Sequence, residues 1–188
     1  MTTDAAVDTR TRLLATALRL FTEHGVEGTS LQMIADALGV TKAAVYYHFK
    51  TKDEITEAVA EPALRELSRL VDAASQLRRP GARIDHILEG IVDLVLRNRV
   101  LVGVLFTDPG IGRAVERSLH GEMNLIGRIH DLLCGPDADA ATMVATHVAL
   151  AGVAMAGGSP TLAELDDETL RTHLLATARR VLGRRHRP

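Results

Sequence analysis

Wherever apolar residues gather in this chain they recur three and four positions apart, and no stretch of useful length alternates apolar with polar. That spacing predicts helices throughout and argues against a sheet. Leu14, Ala17, Leu18 and Phe21 set the pattern, giving a first helix from about Thr9 to His24 that Gly25 closes. Thr29 and Ser30 are good caps for a second, shorter pattern of Leu31, Ile34, Ala35 and Leu38, which Gly39 stops. Val40 and Thr41 lead into a third helix over Lys42 to Phe49, with Thr41 as its natural N-cap. Two short helices flanking a glycine-containing turn form a helix-turn-helix.

From Lys52 a long amphipathic pattern (Ile55, Val59, Leu64, Leu67, Leu70, Val71) predicts a helix to Leu77 with a bend at Pro62, ended by Arg78, Arg79, Pro80 and Gly81. Further helices fit Arg83 to Asn98, Gly112 to Cys134, Asp137 to Gly157 and Asp166 to Leu182. A broken region is expected around Thr107, Asp108, Pro109 and Gly110. The expectation is an all-α chain of about nine helices without internal repeats. A three-helix N-terminal domain over residues 1–52 is followed by a helical body over 53–188.

Composition narrows what such a chain can do. A hydrophobic content of 46% in 188 residues is ample for a core, and with aromatics at 3% that core must be built from Leu, Val, Ile and Ala. The net charge is −2, and the first sixty residues hold six Lys or Arg against eight Asp or Glu. No bulk basic field announces nucleic acid, so any contact with it must come from locally placed cations. The single cysteine, Cys134, excludes an internal disulfide framework and a multi-cysteine zinc site, and suits a reducing cytoplasm. Met1 to Arg10 carries Asp4 and Asp8 and does not read as a signal peptide. The weakly polar stretch Ala138 to Gly158 approaches membrane-spanning length, but Asp139, Thr142, Thr146 and His147 interrupt it, and its Ala and Gly gain little in lipid; no membrane partner is expected.

The third helix is chemically the most informative. A helix entering the major groove needs small or short polar residues at its N-terminal end, where base edges are reached, and phosphate donors on its flanks. Thr41, Lys42, Ala43 and Ala44 meet the first need: Lys42 can donate to guanine O6 or N7, and the alanine methyls permit close approach and can meet a thymine methyl. Tyr46, Tyr47, His48 and Lys52 supply hydroxyl, imidazole and ammonium donors. Val45 and Phe49 should face inward, with Leu31, Ile34, Leu38 and Leu18.

The segment GVTKAAVYYHFKTKDE, together with the preceding GVEGTSLQMIADALGV, closely resembles the DNA-reading part of the tetracycline-repressor (TetR) family, over about Leu13 to Ala58. The remainder resembles that family in length and helical layout only. The resemblance implies that Tyr46, Tyr47, His48 and Lys52 touch the DNA backbone and that Ser30 and Gln32 reach phosphate or groove. It also implies that the last two helices pair with their copies into a four-helix bundle and that the fourth helix links a ligand pocket to the reader. The function so implied is a ligand-responsive repressor that binds a palindromic operator as a homodimer and is released by a small molecule. No basic N-terminal arm is evident, since Asp4 and Asp8 dilute Arg10 and Arg12, and minor-groove contact is not expected.

Residues of the body extend this reading. Ala141, Val144, Ala145, Val148, Gly152 and Met155 form a small-residue stripe, and Leu170, Leu174, Ala178 and Val181 another, as a dimer surface requires. Among polar residues that break an apolar pattern, His86, His120, Asn124 and His147 are candidates to line an effector pocket, with Phe106 and Met123 as apolar walls. His130 and Cys134 lie four apart, but no third ligand is indicated, and neither a metal nor a cofactor is expected. Two other classes compete: a DNA-binding regulator without a small-molecule ligand, and a helical enzyme. Against an enzyme, the chain has no nucleophile-base motif, no His-Glu metal motif and no phosphate-binding glycine loop, so no catalytic residue is assigned.

Overall fold

A computed structural model of the chain describes residues 2–120, 124–135 and 137–183. Among these residues it contains ten α-helices, one short 3-10 turn at Pro160–Leu162 and no strand. The helices are α1 (Thr2–Gly28), α2 (Leu31–Leu38), α3 (Lys42–His48), α4 (Lys52–Ser75) and α5 (Pro80–Arg97), followed by α6 (Arg99–Thr107), α7 (Pro109–His120), α8 (Leu125–Cys134), α9 (Ala140–Gly157) and α10 (Asp167–Val181). The chain divides into two compact units, residues 1–62 with 104–116, and residues 63–103 with 117–188.

The first unit is built on local signals the sequence displays. α1 is broken at Gly25, whose φ of 72° and ψ of 167° lie outside helical space and favour a residue without Cβ. Thr29 is 2% exposed, and its hydroxyl donates to the carbonyls of Gly25 (2.7 Å) and Leu20 (3.3 Å), closing the corner. Ser30 then caps α2 by accepting from the Met33 amide at 3.1 Å. Gly39 ends α2 in the left-handed conformation at φ 73°, and Thr41 caps α3 by accepting from the Ala44 amide at 3.2 Å. Leu13, Ala17, Leu20, Phe21, Ile34, Ala35, Val45, Phe49 and Ile55 are buried, joined by Val104, Ile111, Ala114 and Val115 of the second segment. Full burial of a side chain such as Phe21 or Ile34 contributes about 1.5–3 kcal/mol.

In the second unit α5 lies at the centre, with Ile87, Leu88, Ile91, Val92, Val95 and Leu96 packed among Val71 and Ala74, Leu125, Ile129 and Leu133, Ala149 and Val153, and Leu170, Leu174, Leu175 and Ala178. Missing side chains permit the tightest approaches. A Cβ on Gly90 would fall 2.2 Å from Leu70, one on Gly157 2.2 Å from Val95, and one on Gly158 2.7 Å from the backbone nitrogen of Gly103. Ion pairs rim this core: Arg171 grips Asp93 with two bonds of 2.5 and 3.3 Å, Arg179 holds Glu89 at 2.7 Å, and Arg128 holds Asp72 at 2.6 Å. Arg99 joins three elements, donating to the carbonyls of Gly157 (3.2 Å) and Leu162 (3.0 Å) and to the Asp167 carboxylate (3.1 Å). By length and a mean hydropathy of 1.5, α9 also qualifies as a membrane span, which by itself is a weak indication in a helix whose Thr146, Ala149, Val153 and Gly157 are packed inward.

Several expected boundaries need correction. The helix expected over Gly112 to Cys134 is two helices, because Asn124 adopts a left-handed φ of 39° and caps α8 by accepting from the Gly127 amide at 3.3 Å. The stretch before Asp108, left without a helix by the periodicity, forms α6, and Asp108 rather than the whole Thr107–Gly110 run makes the break. Phe49 caps α3 instead of continuing it, and α4 ends at Ser75, short of the expected Leu77. On α10, Leu170, Leu174 and Ala178 are buried in their own unit, leaving Val181 at 37% exposure as the outward member of that stripe.

Candidate nucleic-acid interface

The α2–turn–α3 segment sorts its side chains into an inner and an outer set. Val45 and Phe49, four apart, are buried, while Lys42, Ala43, Tyr46 and Tyr47 face outward in two rows of i,i+4 pairs. Tyr47 is 79% exposed and Tyr46 40%, high for side chains whose rings normally seek cover. Among the described residues nothing covers this aromatic surface at the end of a capped helix. Lys42 places its ammonium 5.7 Å from the centre of the Tyr46 ring, and His48 packs edge-on to Tyr47 at 5.2 Å. These contacts hold the donors in a fixed array while leaving the tyrosine hydroxyls free to donate outward.

The other candidates occupy the rim of this face, each with a local partner. Thr41 and Ser30 use their hydroxyl oxygens as cap acceptors, so each hydroxyl proton still points elsewhere. Gln32 is exposed and donates to the Asp36 carboxylate at 2.7 Å. Lys52 is half-buried: its ammonium reaches the Glu27 carbonyl at 3.2 Å and the Glu27 carboxylate at 3.5 Å. It therefore ties the start of α4 to the corner after α1, and a phosphate would have to compete with that highly exposed carboxylate. Lys50, not among the candidates named from the sequence, donates to the Tyr46 carbonyl at 2.7 Å and puts a cation at the C-terminal end of α3. Its position beside the buried Phe49 was the one available signal. Arg10 lies 5.2 Å over the Phe49 ring, so the N-terminal cation nearest the reader packs on it rather than forming an arm.

The effector candidates are dispersed. His86 on α5 and His147 on α9 are exposed, Asn124 is spent as a helix cap, and Phe106, 49% exposed, belongs to the first unit. The His120 side chain and Met123 lie outside the described residues. The His147 ring packs on that of His130 at 4.7 Å, and His130 Nδ1 lies 4.0 Å from the Cys134 sulfur, whose thiol donates to Thr146 at 3.1 Å. Burial, followed by the neighbouring His147 charge, lowers the His130 pKa below its ordinary value. Among the described residues no group of three or more His, Cys, Asp or Glu is arranged to hold a metal ion.

A concavity appears elsewhere in the second unit. A groove of about 410 Å3 runs between α9 and α10, lined by Val148, Gly152, Leu162, Leu165, Thr177 and Val181 among others and almost wholly apolar. Beside it on α9, Met143, Val144, Val148 and Met155 are each more than half exposed.

Comparison with known proteins places the α2–turn–α3 segment within a recognised family model. Residues 13–59 match the family of bacterial regulatory proteins described as the tetR family. The chain is similar to the HTH-type transcriptional regulator AcrR of Shigella flexneri, 36% identical over 112 residues that cover 56% of this chain and 51% of that one. It is similar also to the probable acrEF/envCD operon repressor of Escherichia coli K12, 44% identical over 64 residues, 33% of this chain and 29% of that one. The chain thus spans about half or less of the length of these relatives. Among solved structures, a TetR-like transcriptional regulator from Rhodococcus sp. RHA1 superposes with a TM-score of 0.70 at 19% identity, covering 93% of this chain and 96% of that one. A TetR family member from Streptomyces coelicolor A3 does so at 0.69 and 21%, covering 93% and 91%. At these identities the likeness establishes the fold.

Proposed function

From the match of residues 13–59 to the tetR family of bacterial regulatory proteins, we propose that the chain is a cytoplasmic, ligand-responsive repressor of that family that binds a palindromic operator as a homodimer. The observation that carries the reading is the outward face of α3: Thr41, Lys42, Ala43, Tyr46 and Tyr47 are exposed along a helix whose opposite side is anchored by Val45 and Phe49. In this proposal Lys42, Thr41 and Ala43 read base edges, while Tyr46, Tyr47, His48, Ser30, Gln32 and Lys52 position the helix on phosphates. A single helix-turn-helix reads one half-site, so two copies are required. The exposed stripe of α9 and the α9–α10 groove supply the surface on which they pair.

Release by a small molecule completes the mechanism: an effector shifts the dimer between two arrangements only as far as it binds them differently. The packed core around α5 favours a second reading for the body, a regulator that holds no small molecule. The test is fluorescence anisotropy of the protein on the DNA upstream of its own gene, and on duplexes selected from a random pool, titrated across salt. Saturable, salt-sensitive binding that Tyr47→Ala and Lys42→Ala weaken supports the reader. Indifference of both variants would remove α3 from the interface. An effector screen that leaves the operator affinity unchanged favours the second reading.

A further inference from the structure

The DNA-reading unit contains a segment that is remote in sequence. Residues 104–116 fold with residues 1–62, and Val104, Ile111, Ala114 and Val115 of that segment are buried. One polar contact pins the segment to the reader. A carboxylate oxygen of Asp108 accepts a hydrogen bond from the Val26 amide at 2.6 Å, and the other oxygen accepts from the amides of Gly110 (2.7 Å) and Ile111 (3.2 Å), capping α7. Each oxygen has a distinct task, one within its own helix and one eighty-two residues away. The Val26 amide is the donor left over where Gly25 breaks α1, so without Asp108 it would have no partner in the helix.

Both sides of the contact are made for close approach. A Cβ on Gly25 would sit 3.0 Å from the Asp108 carboxylate, and one on Gly110 would sit 3.1 Å from Val26. From Val26 the corner runs without slack into the reader: the buried Thr29 hydroxyl closes onto Gly25, Ser30 caps α2, and Glu27 receives Lys52. We propose that Asp108 is a positioning residue for DNA binding, a latch that sets the α1–α2 corner, and through it the direction of α2 and α3, from the junction of α6 and α7. The segment 104–116 is then the handle by which a change elsewhere in the chain would reach the reader. This inference rests on the proposed DNA-binding role.

The two tasks of the carboxylate separate by substitution. Asp108→Ser keeps a good helix cap but is too short to reach Val26. Gly110→Ala keeps the carboxylate but sets a methyl 2.9 Å from its capping oxygen and 3.1 Å from Val26, so it presses on both tasks at once. Amide hydrogen exchange on the free protein reads the latch directly: residues 26–29 should exchange about tenfold faster in Asp108→Ser with α7 protection unchanged, whereas in Gly110→Ala protection should fall at both places. Affinity for an operator recovered by selection should fall about tenfold, while the slope of log affinity against log salt stays at the wild-type value, because the phosphates contacted are the same.

Unchanged exchange at 26–29 would overturn the latch. Faster exchange with operator affinity within twofold of wild type would overturn the positioning role. If the wild-type protein binds no DNA, the functional reading fails and the positioning role with it, whereas the exchange result still establishes or removes the contact.

Discussion

Two glycines six residues apart at the end of α9 should respond to the same substitution with opposite signs. Gly158 has φ −89° and ψ 0°, which alanine adopts freely, so Gly158→Ala should stabilise by about 0.4–1 kcal/mol through the unfolded chain alone. Its Cβ, however, would land 2.7 Å from the Gly103 nitrogen and 2.9 Å from the Val102 carbonyl carbon. These are backbone atoms that no rotamer change can move, and overpacking of that kind costs about 1–3 kcal/mol. The net destabilisation lies at about 0–2.6 kcal/mol, and its midpoint of about 1.3 kcal/mol lowers Tm by about 3–5 °C for a chain of this size. Gly152 has nothing within 4 Å of its would-be Cβ and sits in mid-helix, so Gly152→Ala should gain about 0.5–1 kcal/mol and raise Tm slightly in dilute protein. If a second copy packs on that face, the added methyl should also weaken self-association. Thermal unfolding by circular dichroism at two concentrations, with sedimentation equilibrium for self-association, tests both. A Gly158→Ala variant as stable as wild type would refute the backbone-to-backbone approach of α6 and α9. A destabilised Gly152→Ala in dilute protein would show that the position is already covered within the chain.

Lys42→Ala should relax sequence preference and reduce the magnitude of the salt slope by about one, whereas Tyr47→Ala, which removes a neutral donor, should weaken binding about equally on all sequences with the slope unchanged; anisotropy on matched and mismatched duplexes separates them. Val45→Ala should destabilise the protein by about 1–3 kcal/mol in urea unfolding, because the side chain is fully buried and its removal leaves a cavity. Arg99→Ala should cost about 1–3 kcal/mol by the same assay, since it leaves carbonyls of the α9–α10 connection without their donor. His130 has its pKa lowered by burial, so the unfolded chain takes up its proton first as pH falls. Stability should be level above the ordinary histidine value of about 6.5 and decline below it, and His130→Gln should flatten that limb in a pH series of melts.

What the sequence made legible follows the range of the interactions involved. Ser30, Gly39 and Thr41 act within three or four residues, and their roles as caps and stop are those their residue types predict. The inward set of Val45 and Phe49 is equally local, one face of one short helix. α6 was missed because Arg99–Thr107 is apolar nearly all round and lacks a polar face to give it a period. The break at Asn124 was missed because a left-handed asparagine is rare enough that a continuous pattern overrides it. In the candidate interface, the types and outward direction of Lys42, Tyr46 and Tyr47 were legible, but the engagement of Lys52 with Glu27 was not, since periodicity contains no information on pairs twenty-five residues apart. The same limit hid the outward-facing half of α9 from the inward-facing α10: both carry apolar stripes, and only packing shows that Leu170, Leu174 and Ala178 are consumed at home while Val144, Val148 and Met155 are left over.

The assignment of residues 104–116 to the first unit also has a biosynthetic consequence. A helix-turn-helix that ended at residue 62 could fold as soon as it left the ribosome. Here the unit also includes the buried Ile111, Ala114 and Val115, so it gains its last core residues only after roughly twice that length has been translated. Until then Tyr46, Tyr47 and Lys42 belong to an incomplete fold, and a nascent or prematurely terminated chain lacks part of the core that supports the proposed DNA-binding face.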